Sequence, residues 1–334
     1  MRDVARLAGV SQSTVSLVVN EDQRVSDDTR ERVGKAIEQL GFRANKAARS
    51  LRGVSSQTLG FVTNQMATSP FAGQTILGAQ EVAWADGHIL LVVDAGDSQE
   101  LAESAIRVLI DQDISGIIYA PMSAQSVTVP AALGHVPSII VNGYPADASD
   151  FPRVEPNDFL GGQLAARALT DAGHRRILFL NGGVGAWTAV ERERGFRTVM
   201  SEYGEGGIDF RVDYGDFEIS SGYARMRAFI DRGTWMPTGV FAINDRVALG
   251  VLQALTEFGL KVPDDVSIVG YDDQPFLAAY LHPPLTTVLL PHHEMGRIGA
   301  LALLEDPGNP IAPGARLAHP KLIVRDSVRR ASTR

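Results

Sequence analysis

The sequence predicts a small all-α head ahead of a larger α/β body built from two doubly wound parallel sheets. Two observations carry this. Residues 3–41 place apolar side chains at helical spacing, with breaks at Gly9 and Gly41. From Thr58 onward, short β-branched or aliphatic runs alternate with helical patterns, the order expected of parallel sheets.

In the head, Val4, Ala5 and Ala8 form the apolar stripe of a first helix, and Gly9 supplies a turn in which a left-handed backbone costs nothing. Ser11 offers a hydroxyl to cap a second helix. Val15, Val18 and Val19 hold that helix inward, which leaves Gln12, Ser13, Ser16, Leu17 and Asn20 outward. A helix face of short hydrogen-bonding side chains suits base edges in a major groove. A helical hairpin with a polar outer face is the alternative. Ser26 is expected to cap a third helix, with Asp27 and Asp28 complementing its dipole. Val33, Ile37 and Leu40 should close a core with Val4, Leu7, Val15 and Val19. Residues 45–53 read as a helix of only about two turns, too short to persist alone and suited to folding on a partner. The alternative is a plain linker.

In the body, strands are expected at Leu59–Thr63, Ile89–Asp94, Ile114–Ala120, Ser138–Asn142, Ile177–Asn181, Gly239–Asn244 and Ser267–Tyr271. Helices are expected at Gly73–Asp86, Glu100–Gln112, Gly161–Ala172, Glu191–Tyr203, Gly222–Arg232 and Arg246–Phe258. A break near Pro152–Asp158 divides two lobes of similar build. Ligands of open α/β sheets bind at the carboxyl ends of strands. Asp94, Asn142, Asn181, Asn244, Asp245, Asp272 and Asp273 all sit there.

Composition narrows the function. The chain has 334 residues and 45% hydrophobic content, enough for two or three domains at about 100–200 residues each. The absence of cysteine excludes disulfides, thiolate metal sites and cysteine nucleophiles. The chain opens on Met1-Arg2-Asp3, without the basic and apolar run of a secretory signal, and holds no apolar stretch of spanning length. A cytoplasmic protein without a membrane partner is therefore expected. Net charge is −8, but residues 1–58 carry ten Lys/Arg against seven Asp/Glu, while the remainder carries 21 against 32. A basic head on an acidic body fits a head that meets phosphates.

In combination the motifs resemble the LacI (lactose repressor) family of bacterial transcription regulators, almost end to end. The resemblance is carried by Asp3-Val4-Ala5, Ala8-Gly9-Val10-Ser11, Thr14-Val15-Ser16, Val25-Ser26, Thr29-Arg30, Asn45 and Ala48-Arg49-Ser50-Leu51. It continues through residues 169–177, Asn244-Asp245, Ala248-Leu249-Gly250, residues 262–273 and 284–288. The resemblance implies a helix-turn-helix DNA-binding domain over 1–43 and a hinge helix with linker over 44–57. It implies a two-lobed, periplasmic-binding-protein-like effector-binding and dimerisation domain over 58–328, and a tail over 329–334. Lobe 1 is expected at about 58–156 and 288–316, lobe 2 at about 157–287 and 317–328. It further implies a homodimer on double-stranded, pseudo-palindromic operator DNA. No heptad tail follows Asp326, so a dimer rather than a tetramer is expected.

By the same resemblance, Gln12, Ser13 and Leu17 set operator sequence, while Ser11, Ser16 and Asn20 lie at phosphates or bases. Ser26, Thr29 and Asn45 match phosphate contacts, which position without specifying. Leu51 matches a minor-groove wedge and Ala48 lies on the groove floor; a buried linker leucine is the alternative for Leu51. Leu17 stands where many relatives carry arginine, so thymine-methyl contact replaces a bidentate guanine contact. Ala44 replaces a frequent proline before the hinge. The resemblance also implies residues ahead of the position of Met1, among them a Thr that caps the first helix.

For the effector, Arg192, Asn244 and Asp272 match residues that bind hydroxyls or polar ring atoms. Asn142 stands where many sugar-responsive relatives carry aspartate, and Phe71 and Phe217 match aromatic walls. Thr188 and Asp94 are further candidates. A guanidinium, a carboxylate and amides between flat rings suit a carbohydrate. An interlobe ion pair is the alternative for Arg192 and Asp272, and core packing for the two phenylalanines. Effector binding is expected to change the angle between lobes, with effector and DNA reciprocally linked.

Two rival classes remain. A transport binding protein would share the lobes but has no use for residues 1–52. An enzyme could use Gly183-Val184-Gly185 as a dinucleotide loop, but Thr188 occupies the third glycine position. His292-His293 lacks metal-ligand spacing with a carboxylate set beyond Glu294. No catalytic residue, metal or cofactor is therefore assigned.

Overall fold

The computed structural model describes residues 1–19, 22, 24–41, 56–122, 125–204, 206–306 and 308–331. The chain divides into two units, Met1–Ser56 and Gln57–Arg334. Asn20, Asn45, Ala48 and Leu51, with nearly all of the expected hinge, lie outside the described residues.

The head is a three-helix cluster of α1 (Arg2–Ala8), α2 (Gln12–Val19) and α3 (Asp27–Gln39). Gly9 is left-handed at φ 66°, and its N–H returns to the carbonyl of Ala5. Val4, Ala5, Ala8, Val15, Val18, Val33 and Ala36 form the core, with Val10, Val19, Val25 and Ile37 at its edge. Two expected core members are outside it. Leu7 is 51% exposed because Val4, Ala5 and Ala8 set the buried face, and Leu7 falls roughly 100° from its centre. Leu40, 46% exposed, follows the last turn of α3. The cap of α3 also differs. Ser26 has the extended cap backbone, but its hydroxyl donates to Thr29 Oγ1 at 3.0 Å and makes no bond to a helix amide.

The body holds two six-stranded sheets. Its first half runs β1 (Thr58–Thr63), α4 (Ala72–Ala85), β2 (Ile89–Asp94), α5 (Gln99–Asp111), β3 (Gly116–Ala120), β4 (Gln125–Val127), β5 (Ser138–Val141), β6 (Gly143–Pro145) and β7 (Arg153–Pro156). Next come α6 (Asp158–Thr170), β8 (Arg176–Asn181), α7 (Trp187–Ser201), β9 (Asp209–Tyr214), α8 (Ile219–Arg232), β10 (Gly239–Ala242), α9 (Asp245–Glu257), β11 (Ser267–Asp272) and β12 (Thr286–Leu289). The chain closes with α10 (His292–Leu304), β13 (Ala315–Ala318) and β14 (Lys321–Ile323). Sheet order is β13-β7-β5-β3-β1-β2 in lobe 1 and β14-β12-β11-β10-β8-β9 in lobe 2, with a small β4-β6 pair beside lobe 1. The large sheets are parallel except where β14 runs against β12. Leu59, Phe61, Ile118, Ile139 and Val141 fill one core; Phe179, Phe196, Phe241 and Tyr271 fill the other.

The lobes join at three chain crossings, between β7 and α6, β12 and α10, and β13 and β14. The expected limits at 288 and 316 therefore shift. β12 stays in the second sheet to Leu289, and β13 pairs with β7 through Ala318. Strands β4, β6, β7, β9, β12, β13 and β14 were not expected. β9 alternates charged and apolar residues along an edge, β7 ends on a proline, and β13 and β14 hold four and three residues. None presents the continuous apolar run of a central parallel strand.

The expected tail at 329–334 is attached as far as Ala331. The carbonyl of Arg329 accepts from Ser267 Oγ at 3.5 Å and meets His174 Nε2 at 3.1 Å, and the N–H of Ala331 donates to the carbonyl of Ala172.

Helices α6 and α7 touch almost backbone to backbone. A methyl group on Gly162 would stand 2.0 Å from the carbonyl oxygen of Arg192, and one on Gly195 the same distance from that of Phe159. Glycine is required at both positions for this approach, and it fixes where Arg192 emerges.

Candidate functional site: a DNA-reading face and an interlobe cavity

On the head, Ser11 Oγ accepts the N–H of Thr14 at 3.1 Å and so caps α2, in contact also with Ser13 Oγ at 2.6 Å. Val15 and Val18 anchor the helix below, while Gln12 and Ser13 are exposed and Ser16 and Leu17 half-buried. These four form one ridge of α2. Ser26 and Thr29 lie together at the start of α3.

In the body, helix caps bring the polar groups together. Asn157 Oδ1 accepts the N–H of Leu160 at 3.0 Å, so α6 begins three residues before its expected start and carries Asp158 in its first turn. α7 likewise begins at Trp187, placing Thr188 in its first turn. Asn244 Oδ1 caps α9 by accepting the N–H of Val247 at 2.8 Å, and its Nδ2 donates to the carbonyl of Phe217 at 3.0 Å. That bond holds the loop bearing Phe217, whose ring lies over Gly182.

A cavity of about 330 Å³ opens between the lobes at the carboxyl ends of their strands, and Phe71, Asn142, Thr188, Arg192, Phe217, Asn244 and Asp272 all line it. Asp94 does not. Its carboxylate is used locally, by the N–H groups of Met66 at 2.7 Å and Gly96 at 2.9 Å. Asn142 and Asp272 both have left-handed backbones, at φ 65° and 102°. Such strain in non-glycine residues concentrates at binding sites.

Arg192 and Asp272 do not form the interlobe ion pair weighed as an alternative. Arg192 pairs inside lobe 2 instead, its Nε donating to Asp158 Oδ1 at 2.8 Å and its Nη1 to the carbonyl of Ile243 at 2.7 Å. The guanidinium lies 3.5 Å over the ring of Tyr271, whose hydroxyl donates to the same Asp158 oxygen at 3.1 Å. Burial opposes the Arg192 charge, but Asp158, Tyr271 and Asp272 outweigh it and raise its pKa. Nη2 makes no hydrogen bond among the described residues.

Sequence reasoning missed Asp158, Tyr271 and His292. His292 lines the cavity from the second crossing and stacks on Phe71, with ring centres 4.7 Å apart. Burial, with Arg192 nearby, pushes its pKa down to about 3, so the imidazole is neutral. Burial pushes Asp272 up to about 7, against the opposing pull of Arg192. Asn142 Oδ1 and His292 Nε2 are buried without a partner. Buried polar atoms are normally satisfied, and these two unpaired atoms belong to residues that line the cavity.

A helix-turn-helix head and a two-lobed body with a polar cavity define a DNA-binding regulator that responds to a small molecule. Residues 1–45 match the lacI family of bacterial regulatory proteins, and residues 166–328 a periplasmic binding protein-like domain. The chain is 32% identical to the HTH-type transcriptional repressor PurR of Vibrio vulnificus, over 99% of its own length and 98% of the relative. It is 32% identical to the ribose operon repressor of Escherichia coli, over 95% and 96%. The lac repressor dimer bound to operator and the anti-inducer ONPF superposes with a TM-score of 0.79 at 29% identity, covering 97% of each chain. The complex of the regulator CelR with cellobiose gives 0.66 at 30% identity, covering 98% of each. The chain belongs to the lacI family of bacterial transcriptional regulators. Its relatives are named transcriptional repressors, and no helix of the described residues is long and apolar enough to cross a membrane.

Proposed function

We propose that the protein is a cytoplasmic repressor that holds a pseudo-palindromic operator as a homodimer, and that a carbohydrate effector in the interlobe cavity alters that hold. The supporting observation is the origin of the cavity walls. Phe71 and Asn142 belong to lobe 1, Thr188, Arg192, Phe217, Asn244 and Asp272 to lobe 2, and His292 to a crossing between them. A ligand that touches both lobes and their connection binds different interlobe angles with different affinity, and only such a difference shifts a conformational equilibrium. The names of two relatives, a ribose operon repressor and a regulator solved with cellobiose, favour a sugar. On the head, Gln12, Ser13, Ser16 and Leu17 read bases in the major groove, and Ser26 and Thr29 hold phosphates. No reaction is catalysed in this reading.

The test pairs two titrations. A duplex selected from a randomised library is labelled, and its anisotropy is followed with and without D-ribose, cellobiose and other sugars that raise the melting temperature. An active effector should change operator Kd by about 5–150-fold. A sugar that binds the wild type but not Arg192→Ala, yet leaves operator affinity unchanged, overturns the proposal.

A further inference from the structure

The charge of the cavity is settled inside the protein, before any ligand enters. Arg192 is the one cation among its lining residues. Its guanidinium already meets the Asp158 carboxylate, the Ile243 carbonyl and the π face of Tyr271. Both members of the ion pair are buried, with side chains 4% and 1% exposed, so water does little to loosen it. Asp272 is the one carboxyl among the lining residues and supplies no cation. Cations nearby are also taken, Arg246 by Glu218 and Arg325 by Asp273, each at 2.8 Å. Lys321 and His319 line an adjoining cavity that shares Phe71, Asp272, Leu290 and His292 with this one, and they do not line this one. His292 is neutral.

What remains open to a ligand is polar and uncharged. Asn142 Oδ1 is a buried acceptor that needs a hydrogen, and His292 Nε2 is a buried ring nitrogen without a partner. Thr188 adds a hydroxyl, and Arg192 Nη2 a donor. The first turn of α7 has no side-chain cap, and its amides offer partial positive charge, about half an elementary charge in all. That suits one hydroxyl oxygen and falls short of neutralising a full anionic charge. A fully ionised phosphate or carboxylate group offers no hydrogen to Asn142 Oδ1, meets no unpaired cation among the residues lining this cavity, and would be desolvated there.

We propose that Asp158, by neutralising Arg192, makes the cavity select an uncharged sugar or comparable polyhydroxylated ring and exclude its phosphorylated and carboxylated counterparts. The inference rests on the reading of this cavity as the effector site. It names Asp158 as a positioning residue that never touches the ligand yet sets which charge class enters.

Calorimetric titration of the full-length protein with matched compounds tests it: D-ribose with D-ribose 5-phosphate, D-glucose with D-glucose 6-phosphate and D-gluconate, cellobiose with cellobionate. In each set that binds, the anion should be about 100-fold weaker or worse, because the site leaves its charge unpaired. An anion that binds more tightly than its neutral counterpart overturns the proposal. Inorganic phosphate is the second probe, read as melting temperature against an ionic-strength control. Wild type should show no saturable protection, whereas Asp158→Asn, which frees the Arg192 charge, should gain it. Saturable protection of the wild type that Arg192→Met removes, or no gain in an Asp158→Asn protein that still binds the neutral sugar, overturns it. A phosphorylated sugar that binds and moves operator affinity defeats this inference and leaves the proposed function intact. A neutral sugar that binds without moving operator affinity does the reverse.

Discussion

Arg192 and Asp158 form a buried ion pair between neighbouring helices, with Nε 2.8 Å from Oδ1 and the Tyr271 hydroxyl on the same oxygen. Removing one partner leaves the other charged and dry. Asp158→Ala should lower the unfolding free energy of the body by about 3–5 kcal/mol. The double replacement Asp158→Leu with Arg192→Met should recover most of that loss and still bind no effector. Urea denaturation of the three proteins checks the first two statements, and calorimetry the third.

Asp272 and His292 give stability opposite pH dependences. The folded Asp272 carboxyl keeps its proton to about pH 7, so folding binds protons and stability falls as pH rises from about 4 to 7. The folded His292 imidazole stays neutral to about pH 3, so stability falls as pH drops from about 6.5 toward 3. The stability of Asp272→Asn relative to wild type should therefore climb with pH between 4 and 7 and level above it. His292→Asn should gain on wild type as pH is lowered below 6.5. Chemical denaturation at half-unit pH steps separates the two; parallel curves for either variant and wild type would refute its assignment.

Gly162 and Gly34 should answer alanine in opposite senses. At Gly162 the added methyl meets the Arg192 carbonyl at 2.0 Å, so α7 must retreat and carry Arg192 with it. A loss of about 1–3 kcal/mol, with loss of sugar binding, is expected. Gly34 lies inside α3 with nothing within 4 Å of the added methyl. There alanine should stabilise the head by about 0.5–1 kcal/mol. Thermal unfolding followed by helical circular dichroism measures both.

On the head, Gln12→Ala should cost about 1–3 kcal/mol on the preferred duplex and relax preference at one base pair of each half-site. Thr29→Ala should weaken all duplexes alike and leave the ranking unchanged. Anisotropy across single-base operator variants distinguishes them. Equal, sequence-independent losses from both would remove Gln12 from the reading face.

The alternation of strand and helix and the glycine break in the head were readable because each is written in adjacent residues. Edge strands such as β9 were not, since their side chains face water on one side and blur the apolar run. Asp94 shows the limit of reading polar residues at strand ends. It has the right address, but two backbone amides of its own loops consume it. Asp158 shows the converse. Its partners stand 34 and 113 residues away in the chain, so nothing local marks it as the counter-ion of Arg192. His292 is silent for the same reason, because only the second crossing brings it against Phe71.

The docked C-terminal segment governs where the molecule can be modified. Ser327 Oγ donates to the carbonyl of Ile268 at 2.6 Å and accepts the N–H of Thr286 at 2.8 Å, and Arg329 covers Ser267 and His174. Cutting the chain before Ser327 would strip two central strands of lobe 2 of their last clasp and open buried hydroxyl and imidazole groups to solvent. A fluorescent reporter intended to sense sugar should therefore be spliced beyond Ala331, where it leaves that clasp untouched.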